Sequence, residues 1–129
     1  MSKREKDDNT ETILIMDDEP VVLTILTSLL EGEGYTVIAA PNGEKVLDAV
    51  DKCDVDLFLT DMMIPRRHGI AISWELRQRG HEFPIVIFSA FLDHWDKEVF
   101  KDCGINEWIA KPVKPKKLLE TVRRCLDER

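Results

Sequence analysis

The chain has 129 residues, 43% of them apolar and 33% charged, with 25 acids against 18 bases and a net charge of −7. That length suits one domain with its own core, and the composition excludes a disordered chain. The charge excludes general nucleic-acid binding by the whole surface, and no apolar run approaches the ~18 residues of a membrane span. Residues 1–11 are polar and aperiodic, with none of the features of a signal peptide. They predict a mobile arm, 1–11, ahead of a domain over 12–127, in a cytoplasmic protein.

From Thr12 onward, short apolar runs alternate with amphipathic stretches. Thr12–Met16 is continuous and partly β-branched, as in a strand buried on both faces. Asp18 then suits an N-cap and Pro20 a first helical position; Val22, Ile25, Leu26 and Leu29 recur at helical spacing until Gly32 and Gly34. Thr36–Ala40 reads as a second strand, and Val46, Leu47 and Val50 mark a short helix. Val55–Thr60 is the third strand. Residues 61–69, with Pro65 and Gly69, read as a loop before a helix that runs to about Arg79. Pro84–Ser89 is the fourth strand, a helix spans about His94 to Asp102, and Glu107–Ala110 is a short fifth strand. Leu118, Leu119, Val122 and Leu126 give a last helix one apolar stripe.

Five βα units imply an α/β fold: a parallel sheet with helices on both faces and right-handed crossovers. Sites in such sheets lie beyond the carboxyl ends of the strands. Those ends are Asp17-Asp18-Glu19, Asp61, Ser89 and Lys111-Pro112; strand two ends in Ala40 and offers nothing. With strand one between strands two and three, the four tips converge. Carboxylates gathered so closely need a counter-charge, and Mg²⁺, which takes oxygen ligands and needs only one or two protein carboxylates, answers that need. Phosphoryl transfer fits the set: an aspartate nucleophile, a lysine to neutralise charge and a hydroxyl for one phosphoryl oxygen. Asp61, on the central tip, is the candidate nucleophile. Taken singly, each piece has a plainer explanation. The acid run caps a helix and complements its dipole, Asp61 opens a turn, and Lys111 is solvated. Joint placement at four tips favours the site.

Other residues carry less. Cys53, Cys103 and Cys125 are odd in number and lack a C-x-x-C pair, so they read as buried small apolar residues in a reducing compartment. His68, His81 and His94 sit in polar contexts and form no metal or catalytic grouping. Lys111 to Arg129 holds seven bases and three acids, a local +4, whereas the rest holds 22 acids and 11 bases. That tail is either a solvated helix face or a docking surface for an acidic partner.

With these residues in view, the chain from about Thr12 to Leu126 resembles the receiver domains of bacterial two-component response regulators. The resemblance rests on I-L-I-M-D-D-E-P, D-L-F-L-T-D-M-M-I-P-R-R-H-G, P-I-V-I-F-S-A and G-I-N-E-W-I-A-K-P, in that order and spacing. It implies a flavodoxin-like (βα)5 doubly wound fold with a five-stranded parallel sheet of order 2-1-3-4-5. It also implies a phosphoacceptor role for Asp61, with Mg²⁺ held by Asp17, Asp18, Asp61 and the backbone carbonyl of Met63. By the same resemblance Ser89 is the switch hydroxyl and Lys111 the phosphate-binding lysine. A cis peptide bond is implied at Lys111–Pro112. Trp108 falls at the switch-aromatic position, where the family usually has Tyr or Phe; the bulkier indole limits an inward swing. Met63 and Phe91 fall where the family lines the approach of water to the phosphoryl group.

The implied partners are a sensor histidine kinase or phosphotransfer protein, and a downstream partner or output domain on the face of helix four, strand five and helix five. The implied role is regulatory, with self-assisted phosphorylation and slow autodephosphorylation and no separate substrate. The chain stops about where the last helix ends, which fits a stand-alone regulator or a receiver from a larger protein; the initial Met1 leans toward an N-terminal position. Three rivals remain. A phosphatase of the haloacid dehalogenase type needs a D-x-D pattern where Asp17, Asp18 and Glu19 stand. A flavin or nucleotide module needs a phosphate-binding loop where three acids stand. A degenerate receiver, acting without phosphorylation, would have no need of the filled reactive positions.

Overall fold

The computed structural model describes residues 10–62, 68–90, 92 and 95–129. The elements run β1 (Thr12–Met16), α1 (Pro20–Gly32), β2 (Thr36–Ala40), α2 (Gly43–Lys52), β3 (Leu57–Asp61), α3 (His68–Gln78), β4 (Ile85–Ser89), α4 (Lys97–Asp102), β5 (Glu107–Ala110) and α5 (Pro115–Glu128). All strand pairs are parallel and the sheet order is β2-β1-β3-β4-β5. The flavodoxin-like order expected from the sequence is therefore the order of the fold.

Strand periodicity divides the core in two. Leu14, Met16, Phe58, Ile85 and Ile87 face one side with Val46, Val50, Leu76 and Phe100 of the helices. Ile13, Ile15, Leu57, Leu59, Val86 and Phe88 face the other, against Leu26, Leu30, Leu118, Val122 and Leu126. Strands β1, β3 and β4 are buried along their whole length, which is why their sequences read as unbroken apolar runs. Among the described residues no helix is long and apolar enough to cross a membrane.

Several boundaries differ from the sequence reading. Asp18 does not cap α1. The N-cap is Glu19, without a side-chain cap bond, and the Glu19 N–H instead donates to Asp17 Oδ1 at 2.9 Å. Strand β3 starts at Leu57 rather than Val55; just before it the Asp56 N–H donates to the Thr12 carbonyl at 2.9 Å, and the Asp56 Oδ2 accepts the Thr12 N–H at 2.7 Å. The expected loop over 61–69 does not include its ends: β3 runs through Asp61 and α3 already contains His68 and Gly69, while 63–67 lie outside the described residues. Helix α4 begins at Lys97, where the Asp96 carboxylate accepts the Glu98 N–H at 2.9 Å. The His94 start, and residues 1–9 of the expected arm, lie outside the described residues. Cys125 is buried as expected and Cys103 half-buried, but Cys53 is exposed at the end of α2.

Candidate functional site

Parallel pairing alone assembles the site. Register sets Met16 of β1 beside Thr60 of β3, and Asp61 beside Phe88 of β4. Asp17 and Asp61 therefore leave neighbouring strand tips at the same, carboxyl, end of the sheet. The ladder continues one step past the strands: the Asp17 N–H donates to the Ala40 carbonyl at 3.2 Å, the Met62 N–H to Phe88 at 3.1 Å and the Lys111 N–H to Ser89 at 2.9 Å. These bonds fix the backbone under Asp17, Asp61, Ser89 and Lys111, so the reactive side chains project from a rigid platform.

The Lys111 ammonium lies 3.2 Å from Asp61 Oδ1. It also lies 5.2 Å from the centre of the Phe88 ring. The Lys111–Pro112 peptide is cis, as the resemblance implies. Ser89 is buried at the next tip. Trp108 is placed differently. It is half-buried on the α4 side of the sheet, its ring 5.6 Å from that of Phe100. Its register partner is Ile87, two residues before Ser89. Met63 and Phe91 lie outside the described residues.

The acid cluster has the electrostatics of a cation site. Carboxylate oxygens of Asp17, Asp18 and Glu19 come within 4.8 Å of one another. Asp17 is fully buried, whereas Asp18 and Glu19 are exposed. Burial pushes the Asp17 carboxyl up to about 6; the Glu19 N–H opposes that rise, the charge of Asp61 adds to it and Lys111 opposes it. Asp17 Oδ2 has no hydrogen-bond partner among the described residues. A buried carboxylate oxygen without a partner, beside two further acid positions, is the donor set that a hard divalent cation takes. The residues present therefore fit Mg²⁺, with Asp17 and Asp18 as the side chains that would hold it beside Asp61.

Gly69 is a part of the site that reads in the sequence only as loop punctuation. A Cβ on Gly69 would come 2.3 Å from the Asp61 carbonyl oxygen and 3.1 Å from Thr60 Oγ1. Only a glycine lets the first turn of α3 press onto the tip of β3. Thr60 and Ser73 are buried around that contact; the Thr60 hydroxyl donates to the Asp61 carbonyl at 2.9 Å and the Ser73 hydroxyl to the Gly69 carbonyl at 2.6 Å.

Comparison with known proteins agrees with this fold. The family model described as "Response regulator receiver domain" matches residues 13–123. The alkaline phosphatase synthesis transcriptional regulatory protein PhoP of Bacillus subtilis is 34% identical over 114 residues, covering 88% of this chain and 48% of PhoP. The chain thus spans about half the length of the curated relatives it matches. A CheY-like receiver domain protein of Methanospirillum hungatei superposes with a TM-score of 0.83 at 26% identity, covering 93% of this chain and 96% of that one. The response regulator TrrA of Thermotoga maritima, solved in complex with Mg²⁺–BeF, gives a TM-score of 0.79 at 26% identity, covering 89% and 98%.

Proposed function

Because the chain belongs to the response regulator receiver domain family, a family of regulatory domains, we propose that Asp61 is its phosphoacceptor. The observation that carries this is the pairing of Asp61 with Lys111 at 3.2 Å, next to a buried Asp17 oxygen that lacks a partner. An Asp61 carboxylate oxygen forms the new P–O bond as the donor's phosphorus–nitrogen bond breaks, and the leaving imidazole takes up a proton. The result is an acyl phosphate. Lys111 then shifts from the carboxylate to a phosphoryl oxygen, and the Ser89 hydroxyl takes another. Asp17, Asp18, Asp61 and the Met63 carbonyl would hold Mg²⁺, which when bound would neutralise charge on the transferring group. The donor is the phosphohistidine of a sensor kinase or phosphotransfer protein. The domain assists its own phosphorylation and has no separate substrate to turn over.

The experiment is incubation with acetyl phosphate, with and without Mg²⁺, followed by intact mass and Trp fluorescence. One phosphoryl group should appear only with Mg²⁺ and should be absent from Asp61→Asn. Stoichiometric labelling of that variant at the parent rate would refute the assignment.

Two features bear on what happens after phosphorylation. Trp108 lies against Phe100 of α4, and Phe100 lies 6.4 Å from the Trp95 ring. A change at Ser89 is read out through this aromatic contact on the face of α4, β5 and α5, where an output domain or downstream partner docks. Within the basic tail, Arg123, Arg124 and Arg129 already pair with Glu11, Glu107 and Asp56. That leaves the exposed Lys114, Lys116 and Lys117 for an acidic partner. Second, neither Met63 nor Phe91 can orient a water, and both can shield the phosphoryl group. The acyl phosphate should be long-lived, and Met63→Asn with Phe91→Glu should shorten its half-life measured without a phosphatase. An unchanged half-life, with fold and Mg²⁺ affinity kept, would remove these residues from that role.

A further inference from the structure

We propose that Phe88 is a positioning residue for Lys111, its ring acting as a second anchor that holds the ammonium over Asp61. The proposal rests on the reading that Lys111 binds the phosphoryl group.

The Lys111 side chain has four rotatable bonds, and ordering it costs entropy. Its contact with Asp61 changes during the reaction. Once Asp61 becomes an acyl phosphate, the carboxylate charge is lost and the ammonium has to move to a phosphoryl oxygen. An anchor that does not change with phosphorylation would keep the charge at the site through the exchange. The Phe88 ring meets that need. It is 1% exposed and packed among Ile13, Ile15 and Leu26 of the α1–α5 side. Lys111 Nζ stands 5.2 Å from its centre, within the range where a cation is attracted to the negative face of an aromatic ring. Ring and ammonium line an apolar groove of about 230 Å³ with Val22, Ile25, Leu26, Pro112 and Val113, which offers the ammonium few competing polar groups on this side.

Both partners are fixed from below. Phe88 is the register partner of Asp61 itself, and its carbonyl accepts the Met62 N–H. Lys111 is fixed through its N–H to Ser89, the residue after Phe88. Carboxylate, ring and ammonium are thus tied to three neighbouring strand tips, those of β3, β4 and β5. An aliphatic residue at position 88 would keep the core apolar and leave the ammonium with one tether.

The test separates charge attraction from packing. Pentafluorophenylalanine at position 88 keeps the shape of the ring and reverses the sign of its face. The Mg²⁺-dependent affinity for beryllofluoride is measured for the parent, for this variant and for Phe88→Leu, each with Lys111 intact and with Lys111→Met. With Lys111 intact, both changes at position 88 should weaken binding roughly three- to tenfold. With Lys111→Met they should have no further effect. Equal losses in both backgrounds, or a fluorinated protein that binds like the parent while Lys111→Met is impaired, would overturn the role of Phe88 and leave that of Lys111 standing. Parent-like binding by Lys111→Met would overturn the reading of Lys111, and the proposal with it.

Discussion

Asp17 shows how one residue is held in an unfavourable state for later use. A fully buried carboxylate with one oxygen unpartnered is unstable as an anion, and its titration moves from 3.8 to about 6. Between those two values the folded domain keeps a proton that the unfolded chain has released. The contribution of Asp17 to stability is thus greatest below about pH 4 and declines as pH rises through 6, by on the order of 3 kcal/mol. A divalent cation at the proposed site would bind the ionised form and restore what is lost. Urea denaturation from pH 4 to 7.5, with and without Mg²⁺, should show an ion-free domain that weakens over this range and a loaded one that does not. Asp17→Asn should remove the slope, stabilise the ion-free domain at pH 7 and abolish the Mg²⁺ response. A slope of equal size in that variant would place the titration elsewhere.

At the scale of elements, α3 shows which parts of the site were legible in the sequence. Strand tips were readable because buried parallel strands are unbroken apolar runs, so Asp17, Asp61, Ser89 and Lys111 stood out as the first polar residues after them. Sheet order followed from the resemblance, since periodicity alone does not choose among strand orders. Helix starts were less legible. They depend on which side chain or carbonyl satisfies the first N–H groups, and Asp17 rather than Asp18 does this at α1. The role of Gly69 was hidden for a related reason, because close approach between two backbones leaves no mark in local composition. Gly69→Ala would drive a methyl group into the Asp61 carbonyl. The turn must then lift from the strand, and overpacking of this kind costs about 1–3 kcal/mol. Because the displaced atom belongs to Asp61, beryllofluoride affinity should fall together with the urea midpoint. A variant that lost stability but bound beryllofluoride like the parent would show that α3 can move without moving Asp61.

Across the whole molecule, the two ends of the sheet divide the work. The carboxyl end carries unsatisfied charge, while the amino end is closed by a network that joins the first and last elements. Arg123 and Arg129 both reach Glu11, at 2.9 Å and 3.0 Å, and Arg129 also reaches Asp56 Oδ1 at 3.1 Å. The other Asp56 oxygen accepts the Thr12 N–H at the start of β1. The Arg123 guanidinium also stacks 6.0 Å over the Tyr35 ring. These bonds are not of equal worth. Arg129 is more than a third exposed, so its removal should cost under ~1 kcal/mol and less still in high salt. Asp56 is buried, and Asp56→Ala would strip a buried N–H of its acceptor, at a cost of about 1–3 kcal/mol that salt does not screen. Asp56→Ala removes the Arg129 pair as well, so denaturation in 0.05 M and 1 M salt should show a salt-sensitive loss for Arg129→Ala and a larger one for Asp56→Ala, most of which persists at 1 M. Neither change touches the tips that carry Asp17, Asp61 and Lys111, so beryllofluoride affinity should stay at the parent value while the domain is folded. Weakened binding in a folded Asp56→Ala protein would mean that the two ends are coupled through β3, the strand that runs from beside Asp56 to Asp61.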